Sequence, residues 1–190
     1  MAILTLPELL DMNFANIGEN VFISNKASFY NCQKISIGNN VRIDDFCVIS
    51  AGQGGVHIGN NIHLAVYSSI IGAEAVVISD FANISSRVSI YSSSDDYSGT
   101  TMTNPMIPDE FKSVTHAPVH IGRHVIIGSG SIILPNVTLE EGVAIGSLSL
   151  VNKDCERFGV YAGIPIKKIK ERKMDFLDLE KKYLSSIGNI

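Results

Sequence analysis

The stretch IGRHVIIGSGSIILPNVTLEEGVAIGSLSLVNKDCE, residues 121–156, divides without remainder into six hexapeptides, which begin at Ile121, Ile127, Ile133, Leu139, Ile145 and Val151. Each opens on an aliphatic residue, and most continue with Gly or a polar residue. The same pattern runs upstream. Hexapeptides begin at Ile17, Ile23, Ile37, Ile43, Ile49, Ile58, Leu64, Ile71, Ile78, Ile84 and Ile90. The phase slips by one residue near Ile70 and again near Val77. A period of six fits neither a helix nor ordinary hairpins. It fits a coil of three short parallel strands, each pointing one aliphatic side chain inward, with a tight corner between strands. Stacked coils bury a continuous aliphatic column and pair their backbones with one another. Corners need unusual backbone angles, and the IGNN sequences predict left-handed residues at Asn39–Asn40 and Asn60–Asn61.

Working outward, two segments break the period. Residues 93–117, SSDDYSGTTMTNPMIPDEFKSVTHA, are polar and contain two prolines. They read as an excursion from the coil, and long excursions on rigid scaffolds carry function. Residues 167–185, KKIKERKMDFLDLEKKYLS, read as a C-terminal helix with an apolar stripe of Ile169, Phe176, Leu177, Leu179, Tyr183 and Leu184 that would cap the open end of the column. Residues 6–12 read as a short helix at the other end. The chain is thus one domain: an N-terminal cap (1–16), a coil (17–166) with excursion 93–117, and a C-terminal helix (167–190).

Bulk properties exclude several classes. Hydrophobic residues make up 45% and charged residues 18% of the 190, which suits a globular chain. The net charge of −4 speaks against nucleic acid, which needs a basic face. No stretch is apolar enough to insert in a membrane, and MAILTLPELLDM lacks the basic start of a signal peptide. Cys32, Cys47 and Cys155 fit neither a disulfide framework nor a zinc site, so a cytoplasmic location is expected.

Repeat, excursion and ending together resemble the hexapeptide-repeat acetyltransferases, in particular the branch that modifies sugars. The most specific residues are Val151-Asn-Lys-Asp154 and Tyr161-Ala-Gly-Ile-Pro-Ile-Lys-Lys-Ile-Lys170. They are similar to that family's V-T-K-D followed by A-G-x-P-x-K/R-x-I-K/R. The GDP-perosamine N-acetyltransferase type of O-antigen enzyme is one relative the resemblance suggests. It implies an all-β solenoid, a left-handed parallel β-helix with a projecting loop and a C-terminal α-helix. It also implies a homotrimer with sites between neighbouring columns, and acetyl-CoA as co-substrate with no metal.

By the same resemblance, Ser129 and Ser147 line the pantetheine arm, where small residues let backbone groups reach its amides. Asn152, Lys153, Lys167 and Lys170 fall near the nucleotide end, where phosphates want cations. The family's base is a histidine on the excursion, and IYSSSDDYS (residues 90–98) has none. Asp95, Asp96 and His116 are the candidates to replace it. Alternatively no side chain acts as base, because a neutral amine already carries its lone pair. The missing histidine therefore favours N-acetylation of an amino sugar, with a nucleotide-linked sugar or other saccharide as acceptor for O-antigen or capsule. Asn83 is a candidate to bind the amine or the thioester oxygen. The alternatives are an O-acetyltransferase acting on a sugar hydroxyl or a small xenobiotic, a metal-dependent hydratase resembling the gamma-class carbonic anhydrases, and a non-catalytic scaffold. The hydratase would have to draw its zinc ligands from His57, His63, His120 and His124.

Overall fold

The computed structural model describes residues 2–187; residue 1 of the expected cap and residues 188–190 of the expected helix lie outside the described residues. The chain winds as a left-handed parallel β-helix of triangular section, as the period requires. The first face stacks Asn16–Ile17, Ile35–Ile37, Val56–Ile58, Val76–Ile78, Val119–Ile121 and Thr138–Leu139. The second face runs from Val21–Ile23 to Ala144–Ile145 and adds Gly159–Ala162 and Lys167–Glu171. The third stacks Ser28–Tyr30 through Leu150–Val151. Inward residues line up in register, as in Ile37–Ile58–Ile78–Ile121–Leu139 on the first face. All are essentially sealed from solvent.

The three corners differ in a way that explains the phase slips. From first to second face, and from second to third, inward residues are always six apart (Ile78, Ile84, Ile90). Every extra residue enters at the third corner, between the third face and the next coil. Phe29 to Ile37 is eight residues, Ile49 to Ile58 nine, Ile70 to Ile78 eight, and Ile133 to Leu139 six again. This corrects one expectation: Ile70, not Ile71, points inward, and Ile71 faces out.

The first two corners are held by left-handed residues. Asn20, Asn40, Asn61, Phe81 and His124 stack at the first corner, and Phe46, Tyr67, Arg87, Gly130 and Leu148 at the second. The left-handed conformation costs roughly 1–2 kcal/mol for most residues, and asparagine bears it best. At the first corner side chains also bond between coils. Asn39, Asn60 and Asp80 accept the backbone N–H groups of Glu19, Asn39 and Asn60 at 2.7–2.8 Å.

The N-terminal helix is α1 (Leu6–Asp11), closed by a capping box of Thr5 and Glu8, with Leu9 buried against the column. At the other end the expectation fails in two respects. Residues Lys167–Glu171 form a strand antiparallel to Gly159–Ala162, not the start of a helix. The run KKIKE has no helical apolar stripe, and the open edge of the last coil offers its backbone groups for pairing. The helix α2 spans Asp175–Ile187, and it does not cap the column. It lies along the first corner: Phe176 meets Phe158 and His124, Glu180 accepts from His124 Nε2 at 2.7 Å and pairs with Arg123, and Tyr183 reaches Phe81 and Asn61. Its 13 residues give a length of about 20 Å, matching about 19 Å for four coil steps from Phe158 to Asn61.

Candidate active site

Ser129 and Ser147 are stacked neighbours on the outside of the second corner. The Leu148 N–H bonds the Ser129 carbonyl at 2.9 Å, and the Gly130 N–H bonds that of Ser86 at 3.0 Å, so Ser86, Ser129 and Ser147 form one column. Their own backbone N–H groups donate to no acceptor among the described residues. The edge therefore presents a row of outward amide donors about 4.8 Å apart. The side chains beside them stay small for a steric reason: a Cβ at Gly128 would lie 2.4 Å from the Ser147 nitrogen. Lys167 pairs with Ala162 one strand beyond Gly146, so it extends the same edge. Lys170 stands farther along that strand, opposite Val160.

The excursion springs from the third corner. Ser93–Ser94 pairs antiparallel with Thr115–His116 and forms its neck. Ser93 Oγ accepts the Ala73 N–H at 2.8 Å and lies 2.8 Å from His116 Nδ1. The two acids that follow have separate environments. Asp96 turns into the loop and accepts from the Ser98 N–H, the Thr100 hydroxyl, and the Thr101 N–H and hydroxyl at 2.7–3.0 Å. Hydrogen bonds from Ser98, then Thr100 and Thr101, hold its carboxyl far below the usual carboxylate range. Asp95 is exposed, and its carboxylate forms no such bond among the described residues. It borders a groove of about 430 Å³ with Tyr97, against the outward side chains Tyr91, Ile132, Leu134 and Leu150. A second hollow on the other side of Asp95 contains Asn104 and Lys112. Asn152 and Lys153 are exposed at the third corner, one coil above Leu134.

The residues expected at one site thus occupy two edges of the prism. Ser129, Ser147 and Lys167 lie on the second corner. Asp95, His116, Asn152 and Lys153 lie on the third, with the third face between them. Asn83 is on the outer side of the second face, in register between His63 and Ile126. The histidines are dispersed. His57 and His120 flank Val77 on the first face, His63 pairs with Asp44 at 2.8 Å, and His124 is engaged by Glu180. No three His, Cys, Asp or Glu side chains among the described residues stand close enough to share a metal. Sequence reasoning did not single out Ser93 or Ser85. Ser93 lay unremarked in a serine run. Ser85 follows the inward Ile84 at the second corner, beside Gly128.

A corner edge of free amide donors on a hexapeptide column, with a polar excursion at the next corner, defines an acyltransferase. The bacterial transferase hexapeptide (six repeats) family matches residues 118–153, and the chain belongs to that family. Over 190 residues, all of this chain and 99% of the relative, it is 60% identical to a dTDP-4-amino-4,6-dideoxy-D-glucose acyltransferase of Escherichia coli. It is 28% identical over 79% of its length, and 75% of the relative's, to a putative lipopolysaccharide biosynthesis O-acetyl transferase of Escherichia coli (strain K12). Among solved structures, AntD, an N-acyltransferase from Bacillus cereus in complex with dTDP and 3-hydroxybutyryl-CoA, superposes with a TM-score of 0.94 at 45% identity, covering 99% of this chain and all of that one. The same enzyme has been solved with single substitutions at one serine or one aspartate, with dTDP-4-amino-4,6-dideoxyglucose or dTDP and coenzyme A. The nucleotide named for the 60% identical relative and for AntD is dTDP, where the sequence suggested GDP.

Proposed function

We propose that the protein transfers an acetyl group from acetyl-CoA to the amino group of a dTDP-linked 4-amino-4,6-dideoxyhexose, in the cytoplasm, for O-antigen or capsule synthesis. The full-length 60% identity to an acyltransferase of that substrate carries the reading. The likeness to a relative named for lipopolysaccharide biosynthesis supports the destination.

The geometry supports a site shared between columns of a homotrimer. One chain holds the amide ladder of Ser86, Ser129 and Ser147 on its second corner and Asp95 on its third. One edge of a rigid prism cannot face its own opposite edge, but it can face a neighbour's excursion. The pantetheine amides lie along the ladder, with Lys167 and Lys170 toward the phosphates of CoA. Asn152 and Lys153 of the neighbouring chain approach the same phosphates. In AntD the substituted serine and aspartate are separated in sequence by as much as Ser85 and Asp95, or Ser86 and Asp96, are here. Asp96 is committed to its loop, so Ser85 and Asp95 are the pair this reading brings to the amine, with Asn83 behind them.

The neutral amine attacks the thioester carbonyl, and the oxyanion is met by an outward corner N–H such as that of Ser86. The C–N bond forms, the C–S bond breaks, and the ammonium proton leaves to the departing thiolate, giving amide and CoA thiol. Asp95 binds and orients the amine. Thiol release in the presence of acetyl-CoA and dTDP-4-amino-4,6-dideoxyglucose tests the reading. Turnover with that amine and none with dTDP-glucose is the expected result. Equal rates would show an O-acetyltransferase.

A further inference from the structure

At the second corner an aromatic stack carries a cation at each end. Phe46 and Tyr67 lie parallel, 4.9 Å apart and 15° off coplanar. Lys26 sits over the outer face of Phe46 at 5.4 Å, and the Arg87 guanidinium over that of Tyr67 at 5.3 Å. The two ends differ. Lys26 is neutralised by Asp45 at 3.3 Å. No carboxylate among the described residues comes within ion-pair distance of the exposed Arg87. A bare stacking role would account for both cations alike and leaves the unmatched charge of Arg87 unexplained. Stacking fixes the plane of a guanidinium and leaves its N–H edge free, which suits bidentate binding of phosphate oxygens.

Its position selects the phosphate. Arg87 belongs to the coil of Ser85, and Gly130 and Leu148 follow it upward on the same edge. Lys167 lies four strands farther along the second face, about 19 Å away. That distance is comparable with the pantetheine arm that separates the diphosphate of CoA from its sulfur. With the CoA phosphates at the lysines, Arg87 stands at the thiol end, where the acceptor enters.

We propose that Arg87, seated over the Tyr67 ring, binds the diphosphate of the nucleotide-linked acceptor. This assignment rests on the proposed function. A left-handed backbone at Arg87 (φ 59°) makes asparagine the suitable neutral replacement. Calorimetric titrations of wild type, Arg87→Asn and Arg87→Lys with dTDP and, separately, with CoA provide the test, with melting temperatures as a check on folding. Expected are at least tenfold weaker dTDP binding in Arg87→Asn, a smaller loss in Arg87→Lys, and CoA affinity within about twofold of wild type in both. Unchanged dTDP affinity in Arg87→Asn overturns the assignment alone, and so does a loss confined to CoA. Wild-type protein that binds no dTDP overturns the functional reading and the assignment with it.

Discussion

Ser93 Oγ bridges two elements: it accepts the Ala73 N–H from the column and lies 2.8 Å from His116 Nδ1 on the returning strand of the excursion. The contact ties the His116 ring to the neck of the excursion. A neutral amine already carries its lone pair, so His116→Ala and Asp95→Asn are each expected to lower kcat/KM on the amino sugar by less than about 100-fold, the low end of general-base effects. Steady-state kinetics check this, and the pH–rate profile should follow the substrate amine. Loss of turnover with retained binding in either variant would identify a base.

Asp96 is expected to matter for loop order, not for chemistry. Its carboxyl is depressed in the folded chain, so its contribution is present above the unfolded carboxylate range near 4 and is lost only as pH falls through its much lower folded value. Between pH 5 and 8 the excursion should show constant protease resistance in wild type. Asp96→Ala should open it to cleavage while the melting temperature of the column stays nearly unchanged.

Lys153, Lys167 and Lys170 changed together to Ala should weaken acetyl-CoA binding without unfolding the protein. Each well-formed contact to phosphate accounts for roughly 1.5–3 kcal/mol. If the site is shared between chains, wild-type activity should be partly recovered by mixing a Lys167→Ala, Lys170→Ala double variant with a Lys153→Ala variant under subunit exchange. Calorimetry and activity of the mixed sample are the measurements.

Ile127 is fully buried in mid-column, stacked between Ile84 and Ile145. Ile127→Ala should cost about 2–5 kcal/mol by urea unfolding.

Phe176→Ala should release the helix from the first corner. Phe176 touches both Phe158 and His124, and Arg172 lies over its ring at 4.6 Å. Faster hydrogen exchange confined to residues 175–187 is the expected signature. Exchange accelerating throughout the column would show that α2 is an integral part of the fold.

The column was legible because each inward residue repeats a local rule. Ser129 and Ser147, two residues after the inward Ile127 and Ile145, fall at a corner by the same rule. Ile71 was misassigned because Ile70 and Ile71 are chemically equal, and only the stacking register separates them. The strand at Lys167–Glu171 was taken for helix because its partner, the edge at Gly159–Ala162, is a tertiary fact with no local signal. The pairing of Ser93 with His116 spans 23 residues and depends on how the excursion closes. Arg87 gave no signal in sequence, since its ring partner Tyr67 lies a full coil away.

Two of the prism's edges keep strict time while the third tolerates surplus residues. Eight, nine and eight residues pass there in the lower coils, and 31 between Ile90 and Ile121. The excursion is thus the far member of a graded series, not an interruption. A lineage can lengthen, shorten or replace it at this seam without shifting a single core side chain out of step. Acceptor choice can then drift while the second-corner edge proposed for CoA, where inward residues stay six apart, is left in place.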